Sequence, residues 1–262
     1  MTRDHSIKLV EKVIRVVEAL KEEPNGLPLQ EIVLRTGYVK SSVHRILLSL
    51  KKLAYIEQNN AGGRYRLGFR FLILASTLAE KTELVKTARP YLRAIVEKFD
   101  ESAYLAIVQG DRGVFVAAEE AARPFRLAAP IFTEVHFHAT AAGKAIGAFL
   151  PAESRSALLQ NARLAVLTPH TKTHPSAIEQ DWEQVRQKGY ALNDEETILG
   201  ATFLAAPVFD ARGRVCGSIS VGMPKVRYLP PLSIKLIEHI KEACRDMSGR
   251  LKAAGYVHVT GN

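Results

Sequence analysis

The chain has 262 residues, 47% of them hydrophobic, with a formal net charge of +9, enough length to bury a real core and to hold two domains. Cys216 and Cys244 are its only cysteines, too few for a disulfide framework or a cysteine-rich zinc site and in keeping with a reducing cytoplasm. The start MTRDHSIK has no apolar signal core, and no stretch nears the ~18 apolar residues of a membrane span, so a soluble intracellular protein is expected. Residues 1–80 carry 13 Lys and Arg against 8 Asp and Glu. Net positive charge is therefore about three times denser there than in the remainder, which suits a polyanion partner for the N-terminal part.

Ser6 is placed to cap a first helix with Leu9, Val10, Val13, Ile14, Val17 and Leu20 at its apolar positions, and residues 22–26, Glu-Glu-Pro-Asn-Gly, end it. A short helix over Leu29–Thr36 precedes a turn at Gly37. The next helix starts at Lys40 or Ser41, with Val43, Ile46, Leu47, Leu50 and Leu53 at i, i+3, i+4, i+7 spacing. Ser41, Arg45 and Lys52 fall on its opposite face, flanked by His44 and Ser49; Leu48 sits there as a misfit, a single exposed leucine without a role. Residues 54–58 and 64–67 alternate like two strands around turn residues 59–63, with Tyr65 and Leu67 on one side and Arg64 and Arg66 on the other. The helix alone reads equally well as an amphipathic helix with a solvated basic face. Helix, glycine turn, helix and basic hairpin in this order make a winged helix-turn-helix over residues 1–68. Lys40, Ser41, Ser42, His44 and Arg45 are the candidates for the DNA major groove, and Arg64 and Arg66 for phosphates or the adjacent minor groove.

Residues 69–84 include Phe69, Phe71, Leu72, Ile73, Leu74, Leu78 and Ala79, with no Pro or Gly between Gly68 and Pro90. A linker helix is expected there, its apolar surface forming a dimer seam or packing on its own domains. Residues 85–262 form the second domain. Val85, Ala88, Leu92, Ile95, Val96 and Phe99 make a helix stripe; hairpins follow at 103–117 and 203–221, and helices at 141–149, 177–188 and 232–251. Hairpins wrapped by helices give a multi-domain α+β chain with an antiparallel sheet, not a doubly wound parallel one. The final Thr-Gly-Asn is expected to fray.

Three stretches of this domain invite chemistry. In the first, Thr140 is a good N-cap, and Ala141, Ala142 and Gly143 leave first-turn N–H groups open to an anion or carbonyl, unless small residues merely allow close packing. Lys144 lies at the wrong end of that helix for a cation, so an acidic partner among Asp194, Glu195 and Glu196 is expected. In the second, His136 and His138 share a side if their segment is a strand, but no further ligand stands at metal spacing, so no metal is expected. His170 and His174 read as surface residues. In the third, Asp194, Glu195 and Glu196 suggest acid–base work, yet neither a nucleophile–base pair nor a phosphate loop accompanies them and a solvated turn is the stronger reading. The rival class, an enzyme carrying a regulatory helix-turn-helix, lacks a nucleophile: Cys216 lies in an apolar strand and no G-x-S-x-G is present. No catalytic residue and no cofactor is expected. An assembly module whose winged helix binds protein is a third reading.

The runs K-S-S-V-H-R from Lys40, Y-R-L-G from Tyr65, H-A-T-A-A-G-K-A from His138, G-Y-A-L-N-D-E-E-T-I-L-G from Gly189 and A-A-P-V from Ala205 resemble, in order, those of the isocitrate lyase regulator (IclR) family of bacterial transcription factors. The resemblance implies a winged helix, a linker helix and a GAF-like domain binding a small metabolite. It also implies homodimers, commonly paired into tetramers, that bind palindromic operators in double-stranded DNA. It places the effector pocket around Leu127, Ala141, Ala142, Asn193, Phe203, Ser220 and Gly222. Three of these depart from the pattern of members that bind small keto acids: Asn193 stands where Asp is common, Phe203 replaces a frequent Cys and Gly222 replaces a Ser. A bulky ring and fewer hydroxyls imply an effector larger or more aromatic than glyoxylate or pyruvate.

Overall fold

The computed structural model describes residues 7–21, 23–59, 63–128, 130–161 and 164–258. The expected cap at Ser6, the breaker Glu22, turn residues 60–62 and the C-terminal Thr-Gly-Asn lie outside them. Contacts divide the chain into Met1–Glu80 and Lys81–Asn262.

The first unit contains α1 (Lys8–Glu18), α2 (Leu29–Thr36), α3 (Lys40–Lys52), the hairpin β1 (Ile56–Gln58) and β2 (Tyr65–Leu67), and most of α4 (Arg70–Lys81). Gly37 ends α2 at φ 68°, in the left-handed region that favours glycine, and this reverses the chain into α3. Val43, Ile46 and Leu47 of α3 meet Ile32, Leu20, Val16, Leu27, Ile56 and Tyr65 in one core. Expected core positions differ in two helices, α3 and α1. Leu53 is 57% exposed because the helix stops at Lys52 and the chain turns through Ala54 at φ 61°. In α1 the buried residue is Val16, while Leu9, Val10 and Ile14 are more than half exposed. That helix has apolar residues on two faces, and periodicity cannot say which one meets the core. The expected helix over 69–84 divides at Thr82, whose backbone is extended.

The second unit is a five-stranded antiparallel sheet between two helical layers. Its elements are α5 (Glu83–Phe99), β3 (Ser102–Gln109), β4 (Arg112–Glu119), α6 (Ala141–Gly147), α7 (Ala152–Asn161), α8 (Pro175–Lys188), β5 (Ala191–Asp194), β6 (Ala201–Phe209), β7 (Val215–Pro224) and α9 (Leu232–Ala253). The strand order is β4-β3-β7-β6-β5. Alternation splits each strand between two cores. Leu204, Ala206, Ile219 and Val221 face α5 and α9, whereas Ala205 faces α6 and α8, with Phe203 packed at its margin. Three elements go beyond the expected set: α7, which has no apolar stripe to announce it, the short edge strand β5, and a 3-10 turn over Lys225–Arg227. The segment carrying His136 and His138 is a turn rather than a strand. Among the described residues no helix is long and apolar enough to cross a membrane, and no group of three His, Cys, Asp or Glu could hold a metal ion.

Candidate functional site

In the first unit Lys40, Ser41, His44 and Arg45 are exposed on one side of α3 and Ser42 is half-buried. Val39, the N-cap residue, supplies no capping side chain; the Ser42 N–H bonds the Val39 carbonyl at 2.9 Å, and those of Lys40 and Ser41 are left to meet an anion. The hairpin is pinned to the segment before α2 by paired backbone bonds of Leu27 and Tyr65, at 2.8 and 2.7 Å. Tyr65 enters the core while Arg64 and Arg66 face outward, as the alternation requires. Both arginines are already engaged. Arg64 Nε donates to the Gly26 carbonyl at 2.7 Å, and Arg66 Nη2 lies 2.8 Å from Glu57, its cross-strand partner.

In the second unit, register aligns Asn193, Phe203 and Gly222 in one row across β5, β6 and β7, with Ala205 and Ser220 paired in the next. Their α6-facing sides, α6 itself and the loop after β5 enclose a cavity of about 150 Å3, lined by Phe115, Thr140, Ala141, Ala142, Asn193, Thr197, Ile198, Phe203 and Ser220. Its walls are mostly apolar. Asn193 Nδ2 donates to Thr197 Oγ1 at 2.7 Å, and Asn193 Oδ1 accepts from the Glu196 N–H at 2.8 Å. The Ser220 hydroxyl makes no hydrogen bond among the described residues, and neither do the N–H groups of Ala141 and Ala142. Leu127 and Gly222 lie behind the Phe203 ring rather than on the cavity wall. A Cβ built on Gly222 would come 2.5 and 2.7 Å from Phe203 Cε1 and Cδ1, and 3.4 Å from Leu127 Cδ1. Gly222 is therefore a glycine because Phe203 is a phenylalanine.

Gly143 departs from its expected role. Thr140 does cap α6, but its Oγ1 takes the Gly143 N–H at 2.9 Å. The absent Cβ lets Gly143 pack directly on the His136 carbonyl, so close packing explains this glycine. Phe115, Thr197 and Ile198 join the site unannounced as pocket residues, although the last two lie in the run from Gly189, because only the fold brings β4 and the loop after β5 to α6.

Lys144, 1% exposed, donates to Asp181 Oδ2 at 2.9 Å, to Glu196 Oε1 at 2.6 Å and to the Leu192 carbonyl. Glu196 is among the expected partners; Asp181 is not, and Asp194 and Glu195 pair with Lys225 instead. The solvated-turn reading therefore holds for Asp194, which is exposed, but not for Glu196, which is 5% exposed. Burial pushes the Asp181 carboxyl up, but Lys144 and Lys172 outweigh it and hold the group below the usual range. For Glu196 burial wins over Lys144 and the carboxyl is raised. Burial raises the Cys216 and Cys244 thiols to about 12, which removes them as nucleophiles. His138 is buried against the Ala165 carbonyl at 3.0 Å, and burial holds its pKa down. His170 and His174 are exposed, as expected.

A DNA-reading head followed by a domain with a half-open, mostly apolar cavity points to a ligand-responsive transcription regulator. Residues 9–60 match the family described as IclR helix-turn-helix domain, and residues 76–249 match Bacterial transcriptional regulator IclR C-terminal. The chain belongs to the IclR family: it is a DNA-binding transcriptional regulator with an effector domain, and the family's proteins are regulators rather than enzymes. It is 31% identical to the HTH-type transcriptional regulator BhcR of Paracoccus denitrificans over 92% of this chain and 86% of that protein. In fold it is similar to an IclR transcriptional regulator from Alicyclobacillus acidocaldarius, with a TM-score of 0.81, 20% identity and coverage of 96% of this chain and 100% of that one. It is also similar to an IclR homologue from Microbacterium hydrocarbonoxydans complexed with 4-hydroxybenzoate, with a TM-score of 0.77, 22% identity and coverage of 94% and 99%.

Proposed function

We propose that this regulator binds a palindromic operator as a homodimer, alone or as a dimer of dimers, in the bacterial cytoplasm, and that an aromatic monocarboxylic acid controls it. Lys40, Ser41, Ser42, His44 and Arg45 enter the major groove and the N-terminal turn of α3 takes a phosphate, while Arg64 and Arg66 serve the wing. Leu9, Val10 and Ile14 of α1 and Leu72, Ile73 and Leu74 of α4, all about half exposed or more, supply apolar surface for a second copy.

The observation that carries the effector reading is the cavity between Phe115 and Phe203. Two rings and Ile198 suit an aromatic body, and the Ser220 hydroxyl with the Ala141 and Ala142 N–H groups suits a carboxylate. The Microbacterium relative's ligand is of this class. Control then comes from the difference in effector affinity between DNA-bound and free arrangements, typically ~1–3 kcal/mol. The test has two arms. Selection on genomic fragments at two salt concentrations is expected to enrich a few palindromes, and calorimetry is expected to show 4-hydroxybenzoate or a related aromatic acid binding more tightly than pyruvate. Tight pyruvate binding with none of any aromatic acid would sink the effector assignment; diffuse binding, with or without effector, would sink the operator reading.

A further inference from the structure

On the β5 edge of the sheet, between α8 and the strand, lies a second and larger hollow of about 360 Å3, whose lining includes Lys172, Asp181, Lys188, Asp194 and Glu196. Its floor is the Lys144 cluster. The three ammonium protons of Lys144 are all committed, to Asp181, Glu196 and the Leu192 carbonyl. Lys172 takes the other oxygen of Asp181 at 2.9 Å. One oxygen is left over: Glu196 Oε2 is buried and has no hydrogen-bond partner, on a side chain only 7% exposed. A buried carboxylate oxygen needs a donor, and the ammonium beneath it has none to spare.

The hollow also holds an uncompensated cation. Lys188, exposed in the last turn of α8, reaches only the Gln184 side-chain oxygen at 3.3 Å and no carboxylate among the described residues. A metal ion does not suit the site, because Lys144 and Lys172 already place ammonium groups on its carboxylates. What fits is a molecule with a donor at one end and an anion at the other. We propose that this hollow is a binding site for a small amino acid, its ammonium on Glu196 Oε2 and its carboxylate on Lys188. The proposal does not depend on the effector reading of the aromatic cavity.

The separation of ammonium and carboxylate sets the chain length, so the probes are glycine, β-alanine, 4-aminobutyrate and 5-aminopentanoate. Each is tested on the full-length protein by saturation-transfer NMR and then calorimetry, with butyrate and butylamine as single-ended controls. At least one amino acid is expected to bind, and both controls to bind more weakly. Lys188→Ala, on the surface and outside the buried cluster, is expected to weaken that amino acid by about tenfold or more, as loss of a charged partner does. Glu196→Gln is expected to do the same, with circular dichroism checking that it folds. Phe203→Ala, on the other cavity, is expected to leave binding unchanged. If none of the four amino acids binds, the hollow holds water alone and the proposal is overturned. Equal binding of the controls, or full binding by Lys188→Ala, overturns it whatever Glu196→Gln does.

Discussion

Replacing Gly222 by alanine tests the packing behind the aromatic cavity. The new Cβ would stand 2.5 Å from Phe203 Cε1, against an ordinary carbon–carbon contact of about 3.5–4.0 Å, so the ring must retreat by about an ångström or more. Strand pairing fixes both backbones, since Phe203 and Gly222 are register partners, and the ring can only rotate toward the cavity it lines. Overpacking of this kind costs ~1–3 kcal/mol. At about 2–4 °C per kcal/mol for a unit of this size, the effector domain should melt roughly 2–12 °C lower. The diagnostic is a double-mutant cycle with Phe203→Ala, read by thermal melts of the four full-length proteins. In the Phe203→Ala background the obstacle is gone, and Gly222→Ala should be neutral or slightly stabilising, because alanine loses less backbone entropy than glycine. The cycle should therefore yield a coupling of ~1–3 kcal/mol. An equal cost of Gly222→Ala in both backgrounds, within about 0.5 kcal/mol, would refute the argument.

Lys144→Met strands Asp181 and Glu196 without their buried cation and should destabilise the effector domain by ~3–5 kcal/mol in denaturant melts, with most of the loss recovered when both carboxylates are also neutralised. A loss below about 1 kcal/mol would contradict the cluster's structural role. Asp210 is buried; burial raises its carboxyl, but the N–H groups of Arg214, His258 and Arg212 overcome this and hold it below the ordinary value. Its folded pKa is depressed, so its stabilisation is full above about pH 4 and is lost as the pH falls through that depressed value; Asp210→Asn should flatten the acid limb of a stability–pH curve. Arg45→Ala should cost ~1–3 kcal/mol of operator binding and relax specificity if the side chain reads a base. Glu57→Gln releases Arg66 from its ion pair and should strengthen binding to random DNA and steepen its salt dependence by about one ion, measured by fluorescence anisotropy.

The DNA-reading head is largely legible in the sequence because its signals are local: an apolar stripe every 3.6 residues, a glycine turn, and a hairpin whose two faces differ in charge. Legibility fails at Val16 and Leu53, where the choice depends on which face meets the core and where a helix stops. The effector domain is legible in its hairpins and main helices. It is not legible where meaning comes from partners far along the chain. The run Asp194-Glu195-Glu196 looks alike in sequence, yet Glu196 meets Lys144, 52 residues away, while its neighbours meet Lys225. Phe203 and Gly222 lie 19 positions apart in sequence, and only the register between β6 and β7 makes them one feature.

That pairing restricts the order in which mutation can re-specify the cavity. A side chain gained first at position 222 collides with the ring, whereas a smaller residue gained first at 203 leaves only extra space, which a later change at 222 can fill. A lineage, or a laboratory selection, that trades the Phe203 ring for a smaller and more hydrophilic wall should change Phe203 before it changes Gly222, and the return journey should run the opposite way.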